Sequence, residues 1–256
     1  TRKESSAASD VYKRQLIIGE KIMDYFLATD DVVGISFWIA TAVMAAGALF
    51  FFVERSTVKA SWQTSLTVAA LVCFVAFWHY MYMRDVWVAT GESPTVYRYI
   101  DWLITVPMQI VEFYLILAAC TAVSLGVFWK LLAGSLVMLL GGYFGETGVL
   151  SPMVGFVVGM AGWIFIIYYI FVGEAAQIKD SAGNENLVMA FDGIKWIVTI
   201  GWAIYPIGYA MGYLGGGVGD GAMLNTVYNL ADLVNKFLFG LVIWYAAMRD
   251  SGVAKG

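Results

Sequence analysis

The chain is short of the residues on which most soluble metal and nucleotide chemistry depends. Its 256 residues include one histidine, two cysteines and four prolines, and only 13% are charged. One histidine and two cysteines offer no zinc-ligand spacing. Cys73 and Cys120 fall within or at the end of apolar stretches, so they read as packing residues rather than as a disulfide. No P-loop and no nucleotide-binding glycine fingerprint occurs, and the glycines of "YLGGGVGDG" suit a flexible turn better. A charged fraction of 13% also excludes an ordinary soluble domain, in which roughly a quarter of residues are charged. No metal site and no nucleic-acid partner is expected.

What is present is apolar. Hydrophobic residues make up 61% of the chain, and the mean hydropathy is +0.75. They fall in long runs without charge, including 32–53, 60–83, 147–173 and 196–219. Each suffices for a membrane crossing, which takes about 20 helical residues. The interval 113–145 contains only Lys130 and divides between two helices; 221–248 holds only Asp232 and Lys236. The spacing predicts an all-α bundle of seven transmembrane helices, over 32–54, 60–84, 94–119, 124–144, 149–173, 190–214 and 222–248. Residues 1–30 form a polar tail, disordered or foreign to the fold, with neither the apolar core nor the cleavage site of a signal peptide. The bundle occupies 31–250 and a short tail 251–256. With the C-terminus cytoplasmic, Arg55, Lys59, Lys130, Lys179, Lys195, Arg249 and Lys255 lie on the inner face, while the outer loops offer only Arg84, beside Asp85, and are made acidic by Glu92, Glu146 and Asp220. The expected topology is therefore N-terminus outside in a bacterial-type cytoplasmic membrane. The basic residues of the N-terminal tail, Arg2, Lys3, Lys13, Arg14 and Lys21, argue the other way.

Against this background "VYRYIDWLITVPMQIVEFY" is unusual, because it places Arg98, Asp101, Gln109 and Glu112 in a membrane segment. At about 100° per residue, Glu112 falls roughly 20° from Asp101, Thr105 roughly 40°, Arg98 roughly 60° and Gln109 roughly 80°. Asp101 and Glu112 thus share one stripe, about 16 Å apart along the axis. Two readings fit: a polar seam between helices, or two stations of an ion pathway. Lys236 lies too deep in the last span to reach the interface, with Asp232 one turn before it. Again there are two readings. The pair is a structural ion pair, or a desolvated lysine amine is poised to form a Schiff base with a carbonyl compound.

The residues that carry this chemistry resemble a known family. "RYIDWLITVP" with "EFYLIL" is similar to the third helix of the microbial (type 1) rhodopsins, and within them of the proteorhodopsins. "YNLADLVNKFLFG" is similar to their retinal-lysine helix, and "GWAIYPIGY" to the sixth-helix segment that packs on the chromophore. The resemblance implies a light-driven outward proton pump, an ion transporter rather than an enzyme, with all-trans retinal bound to Lys236 as a protonated Schiff base. It implies Asp101 as counterion and proton acceptor, Asp232 as second counterion and Glu112 as proton donor. Arg98 would steady the counterion region, and Thr105 would hydrogen-bond the Asp101 carboxylate. Trp102, Met138, Gly142, Trp163, Trp202, Tyr205 and Pro206 match retinal-pocket positions. Gln109 matches the colour-tuning position, where Gln accompanies blue and Leu green absorption, so the blue-absorbing type is expected.

His79 stands at the level of Asp101 near the outer end of the second span. It is either an ordinary packing residue or, as the resemblance implies, a group that tunes the proton affinity of Asp101. In that case it also meets Trp38 of a neighbouring protomer, in a pentamer or hexamer within membrane lipid. The apolar neighbours Ile110, Val111 and Phe113 are expected to keep Glu112 protonated. Two other functions compete. One is a sensory photoreceptor signalling to a partner protein, for which "GEAAQIKDSAGNENLVMAFDG" would be either a docking surface or a mobile linker. The other is a transporter without retinal that uses Asp101, Glu112 and Lys236 as its relay.

Overall fold

The computed structural model describes residues 26–215 and 221–253. The basic residues of the N-terminal tail, most of the glycine-rich outer turn and the last three residues lie outside them. Every regular element among the described residues is a helix. Seven are long and apolar enough to cross a membrane: α1 (Val32–Thr57), α2 (Ala60–Thr90), α3 (Thr95–Cys120), α4 (Leu125–Glu146), α5 (Pro152–Ser181), α6 (Glu185–Leu214) and α7 (Gly221–Asp250). Each packs on the next, and α7 returns to α1, which closes the ring.

Local chemistry sets the helix ends. Asp31 caps α1 by accepting the Gly34 N–H at 2.8 Å. The second helix was expected to stop at residue 84, where the apolar run meets Arg84 and Asp85. These two instead pair at 2.6 Å within the helix, which ends only at Gly91, in the left-handed region at φ 67°. Loss of hydropathy marks where a helix leaves lipid, not where its backbone must stop. Beyond the α-helical stretch Pro152–Phe171 the backbone breaks, then turns again over Glu174–Ser181. The segment considered as a docking surface or mobile linker is thus largely helical. Ala175 and Ala176 are buried there, and Asn184 Oδ1 accepts the N–H groups of Asn186 and Leu187 at 2.9 and 3.0 Å. That cap starts α6 at Glu185, five residues before the expected position.

The bundle reverses the usual polarity of a globule. Large apolar side chains such as Leu49, Trp129 and Ile200 face outward, each more than 60% exposed. Arg98, Asp101, Glu112, Asp232 and Lys236 are buried, none more than 3% exposed. A helix bundle in lipid satisfies its backbone internally and keeps ionisable groups toward its centre. With this surface and its seven helices, the chain is a multi-pass membrane protein.

Two features shape the bundle's centre. Between α4 and α5 the backbones nearly touch: a Cβ on Gly141 would lie 2.6 Å from the Gly159 nitrogen, and one on Gly155 would lie 2.5 Å from the Gly145 Cα. Small residues permit this approach where apolar burial gives helices little reason to associate. Three π-helical segments, Ile197–Gly201, Ala210–Leu214 and Leu233–Leu238, widen the turns of α6 and α7. Asn235 Nδ2 donates to the Gly201 carbonyl at 3.0 Å, so the first and third of these segments are tied together.

Candidate functional site

The polar stripe of α3 turns inward as its spacing requires. Arg98, Asp101, Thr105, Gln109 and Glu112 are each at most 2% exposed. Lys236 approaches Asp101 from the π-helical segment of α7. Its Nζ donates to Asp101 Oδ2 and, at 2.8 Å, to Asp232 Oδ2. One cation and two carboxylates therefore share the centre of the bundle.

The two carboxylates are held differently. Asp232 Oδ1 accepts the Tyr205 hydroxyl at 2.5 Å and Oδ2 the Tyr80 hydroxyl at 2.8 Å, while Trp102 Nε1 lies 3.2 Å from both oxygens. With Lys236 added, donors from four helices surround Asp232. Asp101 has Lys236 on one oxygen and no hydrogen-bond partner on the other. His79 Nδ1 lies 3.7 Å from that free oxygen and is committed to the Val75 carbonyl at 2.9 Å. His79 thus sits at the expected level, facing Asp101 without bonding to it.

Two expected contacts take another form. Thr105 Oγ1 donates to the backbone carbonyl of Asp101 at 3.0 Å, not to its carboxylate. A threonine inside a helix reaches the carbonyl one turn back with little rotation, and here that local bond prevails. Arg98 reaches neither carboxylate. Its guanidinium donates to Asn225 Oδ1 at 3.0 Å, Asn229 Oδ1 at 2.9 Å and the Tyr80 hydroxyl at 3.3 Å. Its hydrogen-bond link to the two carboxylates runs through Tyr80, which spans the gap to Asp232.

At the other end of the stripe Glu112 is 1% exposed, and neither carboxyl oxygen has a partner. Ser65 of α2 faces it without reaching hydrogen-bond geometry. The Phe113 ring packs edge-on against Phe191, 5.1 Å between centroids, and adds an apolar wall nearby. Between the two acids, Gln109 donates to the Asn235 carbonyl at 2.7 Å, joining the stripe to the π-helical segment that carries Lys236.

A cavity of about 750 Å³, opening included, runs from Lys236 between α3, α4, α5 and α6. Trp102, Gln109, Met138 and Gly142 line it on one side. Trp163, Trp202, Tyr205 and Pro206 line it on the other, so every expected pocket residue is gathered here. Trp163 is fixed by donating to the Val198 carbonyl at 3.0 Å. The walls are almost wholly apolar, with a few polar groups among them, as is usual for a small-molecule site. Such a slot with an amine in its lining fits a long apolar carbonyl compound.

Tyr80, Asn225, Asn229 and Asn235 were not anticipated. Asn225 and Asn229 had a readable signal, since 225, 229, 232 and 236 recur with the helical period as one polar stripe on α7, and Asn235 lies off that stripe. Tyr80 had none, because a tyrosine beside His79 in an apolar run looks like packing.

Residues 31–249 match the family described as bacteriorhodopsin-like protein. The chain is 55% identical over 229 residues to the blue-light absorbing proteorhodopsin of Gamma-proteobacterium Hot 75m4, covering 89% of this chain and 91% of that one. It is 52% identical over 228 residues to the green-light absorbing proteorhodopsin of Gamma-proteobacterium EBAC31A08, with coverage of 89% and 91%. Among solved structures it resembles the blue light-absorbing proteorhodopsin from Med12, with a TM-score of 0.75, 60% identity, and coverage of 85% of this chain and 98% of that one.

Proposed function

The chain belongs to the bacteriorhodopsin-like family, and on that premise we propose that it is a light-driven outward proton pump that carries retinal on Lys236 as a protonated Schiff base. The cavity fits this group. Its aromatic and apolar walls suit a polyene, and the buried amine in its lining faces carboxylates able to balance a cation. Bound all-trans retinal would supply light absorption and an isomerisation that displaces the nitrogen it shares with Lys236.

The chain's own residues do the rest. The carrying observation is the unequal state of the two carboxylates. A proton arriving at Asp232 would have to displace one of its donors, whereas Asp101 Oδ1 is free to receive one. Asp101 is therefore the acceptor, and Asp232 the fixed counterion, held by Tyr80, Tyr205 and Trp102. Glu112, about 16 Å along the same helix face, returns a proton to Lys236 Nζ. It lies in an apolar wall where a neutral carboxyl is the cheaper form.

Direction follows from topology. Lys59, Lys130, Lys179 and Arg249 gather at the end of the bundle nearer Glu112, where Lys59 pairs with Asp250 at 3.2 Å and Lys130 with Glu174 at 2.6 Å. Excess Lys and Arg marks the cytoplasmic side of a bacterial inner membrane, so a proton passing from Glu112 to Asp101 moves outward. Trp38 is 49% exposed near Arg84, whose guanidinium lies 5.0 Å from its ring. A ring open on the outer surface of α1 supports a homo-oligomer, a pentamer or hexamer, with Trp38 and His79 near the protomer contact.

Adding all-trans retinal to the apoprotein tests the chromophore half. A blue-absorbing pigment should form with the parent and not with Lys236→Ala; no colour with the parent would overturn that half. In reconstituted vesicles the pigment should move protons on illumination, and Asp101→Asn should abolish the movement. Unchanged transport in that variant would remove Asp101 from the pathway.

A further inference from the structure

We propose that Asn225 and Asn229 of α7 are positioning residues that hold the Arg98 cation away from the Asp101 and Asp232 carboxylates, so that the acceptor faces one cation and not two. The inference rests on Asp101 being the retinal counterion and acceptor.

Arg98 is 2% exposed, yet no carboxylate lies within ion-pair distance of it among the described residues. A buried guanidinium ordinarily takes a carboxylate in a bidentate pair, and two carboxylates stand on the far side of the Tyr80 hydroxyl. It binds instead two neutral amide oxygens, at 3.0 and 2.9 Å. These amides are themselves oriented. Asn229 Nδ2 donates to Ser36 Oγ at 2.9 Å, and Ser36 Oγ donates to the Val33 carbonyl at 2.7 Å. Asn225 Nδ2 donates to the Gly221 carbonyl at 2.7 Å. With both NH₂ groups committed, both oxygens are presented to Arg98, and Asn225 Oδ1 also accepts the Ser93 hydroxyl at 3.2 Å.

The consequence for Asp101 is electrostatic. The charged or titratable groups facing it are Lys236 and Asp232 from α7, and His79 and Tyr80 from α2; Arg98 reaches the pair through the Tyr80 hydroxyl, which bonds Asp232. A second cation brought to the pair would favour its ionised form and make the acceptor harder to protonate. The asparagine clasp keeps that cation at a distance while leaving it inside the bundle.

The test is a spectral titration of the retinal-bound protein, since protonating the counterion changes the colour. Asn229→Leu removes the amide oxygen and frees Arg98 to turn toward the carboxylates, so the acid transition should move to lower pH by about one unit. Asn229→Asp anchors Arg98 more firmly and adds a negative charge, so the transition should stay or move to higher pH. Opposite responses of two substitutions at one site are not what simple loosening of the bundle would give. Equal shifts in one direction, or none, overturn the clasp. If the Asn229 variants bind no retinal, the same pair at Asn225 decides by the same signs. A parent whose colour does not change with pH, or whose transition survives Asp101→Asn, would instead remove the counterion reading itself.

Discussion

At the scale of the residue, the proposed function rests on three carboxylates in unlike surroundings. Asp232 is saturated with donors, Asp101 is half paired, and Glu112 has no partner at all. Glu112→Gln keeps the shape of the side chain and removes its proton. The pigment should keep its colour, while recovery after a flash slows by about 100-fold, the usual size of a lost general acid. Recovery at the parent rate would show that another group returns the proton. Gln109 lines the cavity, and its amide does not ionise near neutral pH. Gln109→Leu should therefore move absorption to longer wavelength without stopping transport; an unchanged maximum would remove its tuning role. The α3 stripe was legible because charge in an apolar helix is rare and its period is fixed. The Thr105 bond was not, because a helical threonine can face either a neighbouring carboxylate or its own backbone, and only the rotamer decides.

At the scale of the element, seven helices could be read from the apolar runs, but their ends and irregular turns could not. Gly91 and Asn184 fix the ends of α2 and α6 through a left-handed cap and a side-chain cap, several residues away from the changes in hydropathy. The π-helical turns leave no period in the sequence, yet one presents Lys236 and frees the Asn235 carbonyl for Gln109. The glycine seam between α4 and α5 carries its own prediction. A Cβ at Gly155 would meet Gly145 Cα at 2.5 Å, a contact that no side-chain rotation relieves. Gly155→Leu should cost about 1–3 kcal/mol by overpacking, read as faster bleaching of the pigment on heating. Gly221→Ala, where an added Cβ meets nothing within 4 Å among the described residues, should leave that rate alone. Equal behaviour of the two variants would mean that the seam is looser than its distances require.

At the scale of the whole molecule, the bundle is apolar outside and charged at its centre, and its surface cations, Arg84 apart, gather at one end. The proposed direction of transport rests on that asymmetry, because the same two carboxylates in the reverse topology would move protons inward. The most direct measurement is the pH of an unbuffered suspension of retinal-supplemented cells expressing the protein, illuminated with blue light. The medium should acidify, and both a protonophore and the Asp101→Asn substitution should abolish the change. A coloured pigment that leaves the pH unmoved, or that makes the medium alkaline, would contradict outward pumping.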